Sequence, residues 1–121
     1  MALVFLPRLP GEPAPRRAKY GAVPSVVDGV RFDSQKEARR YHELTILVRL
    51  GAIDTLAIHP RYALRVNDVE VGTYVADFCY RVCATGATVV EDVKSTATRT
   101  PLYRLKRRLV AALYGFEIVE V

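Results

Sequence analysis

Polar and apolar residues alternate along some stretches of this chain and recur every three or four residues along others. Alternation marks a strand with one covered face, and the longer period marks a helix with an apolar stripe. Val26 to Phe32 is a β-rich run split by Asp28-Gly29, the signature of a hairpin with a type I′ turn. Ser34 then stands as a helix N-cap, and Glu37 three residues on completes a capping box. The helix runs to about Leu50, with Gly51 as its stop. Glu37, Tyr41, Leu44 and Val48 form its inner stripe, whereas Lys36, Arg39, Glu43 and Arg49 lie outside it.

Ile53 to Ile58 reads as a short apolar connection, broken by His59-Pro60. Tyr62, Leu64 and Val66 predict a strand, and Asn67-Asp68 a turn. Val69 to Val82 predicts a second strand, with Gly72 a bend or bulge inside it. Ala84-Thr-Gly-Ala87 predicts a hairpin connection into a third strand over Val89 to Lys94. Ser95 to Thr100 is polar and reads as a loop. Thr100 is a second N-cap, and Pro101 takes the first helical position, where its missing N–H costs nothing. That helix ends at Tyr114 before Gly115. Leu102, Leu105, Leu109, Ala112 and Leu113 are its expected buried stripe, with Arg104, Arg107 and Arg108 outside and Lys106 at the border. Phe116 to Val121 predicts a closing strand.

Against this pattern, three charges stand out. Asp77 sits inside one strand, and Asp92 and Lys94 close the next. Residues two apart share a strand face, so Asp92 and Lys94 point one way, and Glu91 points the other way with Val89 and Val93. A charge in an apolar strand is costly unless it is paired or binds an ion. Two readings are open. One is an ion pair between Lys94 and either acid. The other is a site for a hard cation such as Mg²⁺, which takes oxygen ligands and leaves room for phosphate oxygens. A lysine in that place is positioned to hold or deprotonate an attacking water. Glu37 is directed at the same region unless its carboxylate is consumed by the capping box. His59 is either a phosphate or metal contact or a plain loop residue.

Composition narrows the partners. The 121 residues suffice for one domain with a core, and half of them are hydrophobic. The formal net charge of +5 favours a polyanionic partner such as nucleic acid. Residues 1–19 carry Pro7, Pro10, Pro13 and Pro15 with Arg8, Arg16, Arg17 and Lys19, and read as a basic arm, solvated or lying on phosphates. Residues 20–121 form the single folded domain. Cys79 and Cys83 read as reduced thiols of a cytoplasmic protein. No run is long enough to span a membrane, and Ala2 to Leu6 is too short for a signal-peptide core.

The order and placement of these motifs resemble the PD-(D/E)XK nuclease superfamily. There a leading helix supplies a Glu, one strand an Asp and the next an acid-x-Lys, which here map onto Glu37, Asp77, Asp92 and Lys94. More closely, Phe32-Asp-Ser-Gln-Lys-Glu-Ala38, Tyr74-Val-Ala-Asp-Phe78, Val90-Glu-Asp-Val-Lys94 and Thr100-Pro-Leu-Tyr-Arg-Leu-Lys106 resemble a family of small, mostly phage-encoded proteins of that superfamily. The likeness covers residues 19–121. Ala76 stands where the superfamily name implies a proline, which its members often lack.

The resemblance implies an α/β (α+β) fold with a restriction-endonuclease-like core: a mixed sheet flanked by two helices, with an N-terminal hairpin. It implies a Mg²⁺-dependent endonuclease acting on DNA, with Mn²⁺ able to substitute. Asp77 and Asp92 would bind metal, with the Val93 carbonyl a further ligand and Glu37 holding a second metal or its water. Lys94 would orient the attacking water. Lys106, Arg104, Arg99 and Ser95 would contact phosphates, as would Lys19 if the arm lies on DNA. By analogy the substrate is branched DNA of the Holliday-junction type in phage replication or recombination, cut by a homodimer in the host cytoplasm. Ile46 and Leu50, or the Val26–Phe32 hairpin, would supply the dimer contact. Two other classes compete: a DNA-binding module of the same fold that does not cut, and a structural or assembly protein whose acids are ordinary ion pairs.

Overall fold

The protein is described by a computed structural model covering residues 25–95 and 97–121, with the backbone alone for Leu3–Phe5. The fold is α+β, with two helices, a mixed five-stranded sheet and two small hairpins. Most of the expected basic arm, including Lys19, lies outside the described residues. Leu3–Phe5 within it forms a strand, β1, rather than part of an unpacked tail.

The first hairpin pairs β2 (Ser25–Val27) with β3 (Val30–Phe32). Asp28 and Gly29 both have positive φ, as a type I′ turn requires. Helix α1 spans Gln35–Arg49, and the Ser34 hydroxyl accepts from the Glu37 N–H at 3.1 Å. Glu37, Tyr41, Leu44 and Val48 are buried as their spacing predicts. The Tyr41 hydroxyl donates to Asp28 at 3.0 Å, tying the hairpin to the helix. Burial pushes the Tyr41 phenol up to about 12.

The stretch Ile53–Ile58 is β4, a full strand of the main sheet rather than a connection. Its ladder shifts register between Asp54 and Ala57, and Thr55 has φ +53°. That bulge puts Ile53 and Leu56, three apart, on the same buried face, so simple alternation fails here. The second correction concerns Val69 to Val82. It is two strands, β6 (Val69–Val75) and β7 (Phe78–Val82), which belong to different sheets. β6 pairs with β5 (Arg61–Val66) through a turn at Asn67 and Asp68, and the register shift beside Gly72 is the expected bulge.

β7 pairs antiparallel with β4 and with β8 (Thr88–Asp92). β9 (Val119–Glu120) adds to β8 in parallel, and β1 adds to β4 in parallel. The order is therefore β1-β4-β7-β8-β9. One sheet face packs on α1 through Leu56, Ile58, Phe78 and Tyr80. The other face packs on α2 (Pro101–Tyr114) through Ala76, Val90 and Ile118. Thr100 caps α2 by accepting from the Tyr103 N–H, and Gly115 closes it at φ +77°.

The face that α2 buries is not the expected one. Tyr103 and Val110 are buried, while Leu102 and Leu105 are 60% and 55% exposed and Ala112 and Leu113 are exposed too. Arg107 is half-buried rather than exposed, ion-paired with Glu120 at 3.3 Å. Cationic side chains with long apolar stems cover the sheet here, because polar partners at its edge satisfy their charged heads. Among the described residues, no helix is long and apolar enough to cross a membrane.

Candidate functional site

β8 presents different chemistry on its two faces, as its alternation requires. Toward α1 it turns Val89 and Glu91, with Val93 just beyond its end on the same side; toward α2 it turns Val90 and Asp92. Glu91, 1% exposed, is held by Arg40 of α1 through two bonds, of 2.8 and 2.6 Å. The Tyr80 hydroxyl donates to the same carboxylate. This pairing, chiefly the bond to Glu91, raises the Arg40 pKa further above its already high ordinary value. The lock fixes α1 against β8, and with it the distance from Glu37 to Asp92.

Asp92 ends β8. One of its oxygens takes the Lys94 ammonium at 3.0 Å, and the other accepts from the buried Tyr74 hydroxyl. The Lys94 ammonium also lies 4.0 Å from the centre of the Tyr103 ring, a cation–π contact. Asp77 occupies the break between β6 and β7, where the chain passes from the small hairpin into the main sheet. Its backbone is fixed by Asp77 N–H to the Glu91 carbonyl and by the His59 N–H to its own carbonyl. Its side chain accepts from the Val93 N–H at 2.7 Å.

Glu37, 5% exposed, comes from the first turn of α1. The capping box is only half made. Ser34 caps Glu37, but the Glu37 carboxylate leaves the helix end and meets His59 Nε2 at 2.8 Å. Ligand atoms of Glu37, His59 and Asp77 all lie within 4.8 Å of one another. Burial first, then the Glu37 and Asp92 carboxylates, push the Asp77 carboxyl well above the ordinary carboxylate range. The simple ion-pair expectation thus holds only for Asp92. Among the described residues no lysine or arginine is bonded to Asp77 or Glu37, a donor set that fits a divalent cation.

The three motif acids and Lys94 therefore come together from α1, the β6–β7 break and the end of β8. A groove of about 290 Å³ opens on the Asp92 and Lys94 side of this cluster, lined also by Tyr74, Thr98, Thr100 and Lys106, and Glu37 and Asp77 do not line it. Lys106 donates to the Thr73 carbonyl at 2.9 Å at the groove wall. Ser95 closes a turn with Thr98 at the end of the Lys94 segment, its N–H donating to the Thr98 hydroxyl at 2.8 Å. Arg99 lies 3.5 Å from Glu120, so its charge is directed there. Arg104 does not reach the carboxylates. It lines a larger, separate groove with Arg107, Arg108 and Glu117, which holds none of the acids above.

Three contributors escape a reading by motif. Lys36 reaches the Lys94 carbonyl at 2.6 Å although it lies outside the apolar stripe. Tyr74 holds Asp92 but reads as one aromatic of a strand. Glu120 gathers Tyr103, Arg99 and Arg107 near the chain end. Of these Lys36 and Tyr74 carried a signal, their places directly before Glu37 and three residues before Asp77 in the quoted motifs.

The sequence matches the family described as protein of unknown function (DUF1064) over residues 17–116, so the chain belongs to that family. No curated protein and no solved structure matches it.

Proposed function

We propose that this member of the DUF1064 family is a divalent-metal-dependent endonuclease that hydrolyses DNA phosphodiester bonds. The observation that carries the reading is the convergence of Glu37, Asp77 and Asp92 on one spot beside Lys94. Three carboxylates repel a phosphodiester unless a cation stands between them, and Lys94 on Asp92 and Lys106 at the groove wall supply the positive charge a phosphate site needs. Asp77 and Asp92 would hold Mg²⁺, with the Val93 carbonyl and Glu37 completing the set. When bound, the ion acts as Lewis acid and lowers the pKa of its water.

The chain's own groups supply the rest. The Val93 N–H and the Tyr74 hydroxyl fix the orientation of Asp77 and Asp92. Lys94, held by Asp92 and the Tyr103 ring, positions the attacking water and meets charge building on the phosphate. Lys106, Thr98 and Thr100 line the groove where the backbone would lie, and such contacts position DNA without reading sequence. Selectivity for branched DNA, action as a homodimer and a place in phage recombination in the host cytoplasm extend this reading by analogy.

The test is cleavage of labelled linear, flapped and four-way-junction DNA with Mg²⁺, Mn²⁺ or EDTA, beside Asp92→Ala. Metal-dependent cutting that disappears in the variant is expected, and the substrate ranking names the class. Binding without cutting on every substrate, with either ion, overturns the nuclease in favour of a DNA-binding module of the same fold.

A further inference from the structure

We propose that His59 is a metal ligand, and that Glu37, His59 and Asp77 form a mixed nitrogen–oxygen position that takes a borderline divalent transition ion in preference to Mg²⁺. This inference rests on the divalent-ion reading of the same cluster and assigns the identity of the ion.

The geometry comes first. His59 follows β4 directly, and its backbone takes φ +55°. That turn brings the imidazole Nε2 to 2.8 Å from Glu37 Oε1. Around an octahedral ion with ligands at about 2.1 Å, neighbouring ligands lie about 3 Å apart and opposite ones about 4.2 Å apart. The Nε2–Oε1 distance matches a neighbouring pair, and the 4.8 Å limit on the whole set is close to the opposite pair. Small side-chain movements therefore convert the present contacts into a coordination shell.

Chemistry then selects the ion. Imidazole suits Mn²⁺, Zn²⁺ and their neighbours, whereas Mg²⁺ takes oxygen and dehydrates reluctantly. Glu37 is buried, His59 is half-buried, and the Phe32 ring lies 5.8 Å from the imidazole, which restricts the ring. Asp77 is shared with the Asp92 side of the cluster. The arrangement thus has an all-oxygen side at Asp77 and Asp92 and a nitrogen-bearing side at Asp77, Glu37 and His59.

The test uses untagged full-length protein with Mn²⁺ as the probe. Pulsed electron paramagnetic resonance of bound Mn²⁺ reads whether a nitrogen is directly bonded to it. Calorimetry measures Mn²⁺ and Mg²⁺ affinity in wild type and in His59→Asn, a substitution that tolerates positive φ. The expected result is a nitrogen coupling that the variant abolishes, with Mn²⁺ affinity falling roughly tenfold or more and Mg²⁺ affinity little changed. Mn²⁺ bound without nitrogen coupling overturns this inference and leaves the carboxylate site standing. Equal losses for both ions overturn it too, because His59 then acts only by orienting Glu37. Failure of both ions to bind overturns the metal reading altogether.

Discussion

Asp77 is the residue on which the site's electrostatics turn. Its carboxyl is raised because burial and two neighbouring carboxylates disfavour its charge. A raised acid binds its proton more tightly in the folded state than in the unfolded one. The stability this gives is fully present below the ordinary carboxylate range and is lost as pH rises through the raised value. Metal-free protein should therefore melt at progressively lower temperature as pH climbs above the ordinary carboxylate range. Asp77→Asn should flatten that loss and melt above wild type near neutral pH in EDTA. Thermal melts across pH check this, and a variant that melts below wild type throughout contradicts the repulsion. Lys94→Ala should lower single-turnover cleavage by about 10²-fold or more, a usual contribution of a positioned proton-transfer group. Its metal affinity should persist, and calorimetry on the same sample separates the two effects.

Among elements, the contact between α1 and β8 sets the site. Glu37 and Arg40 lie three apart on α1, so one placement of the helix serves both the carboxylate cluster and the Glu91 lock. Arg40→Ala leaves the Glu91 charge buried with Tyr80 as its remaining side-chain partner among the described residues, at a cost of about 3 kcal/mol read by denaturant unfolding. Loss of well under 1 kcal/mol would mean that the pair merely decorates the helix. The elements also show what was legible in the sequence. Both caps, the type I′ hairpin and the face of α1 follow from local chemistry, and so do the places of Glu37 in the first turn of α1 and Asp92 at the end of β8. Asp77, expected inside a strand, stands in the β6–β7 break, and Lys94 lies beyond β8. β4 was not legible because the bulge at Thr55 breaks its alternation, and the β6–β7 break was hidden because apolar residues continue through it. The face of α2 was misread because periodicity finds an apolar stripe but not the partner surface. Lys106 and Arg107 pack inward only because Thr73 and Glu120 are there to receive them.

At the scale of the whole molecule, an acidic centre is set in a basic chain. Lys94 pairs with Asp92, Lys36 reaches the Lys94 carbonyl and Lys106 the Thr73 carbonyl at the groove wall, whereas Arg104 lines the other groove. DNA binding should weaken steeply with salt. Lys106→Ala should reduce the slope of log affinity against log salt by about one, the amount for one phosphate contact, and Arg104→Ala should leave it unchanged. The opposite ranking would place the DNA along the arginine groove. Everything in this account depends on the three carboxylates being a divalent-ion site rather than a set of structural acids. Calorimetric titration of Mg²⁺ into wild type and Asp77→Asn tests that most directly. Saturable binding by wild type that the variant loses is expected; equal heats in both would contradict a divalent-ion site.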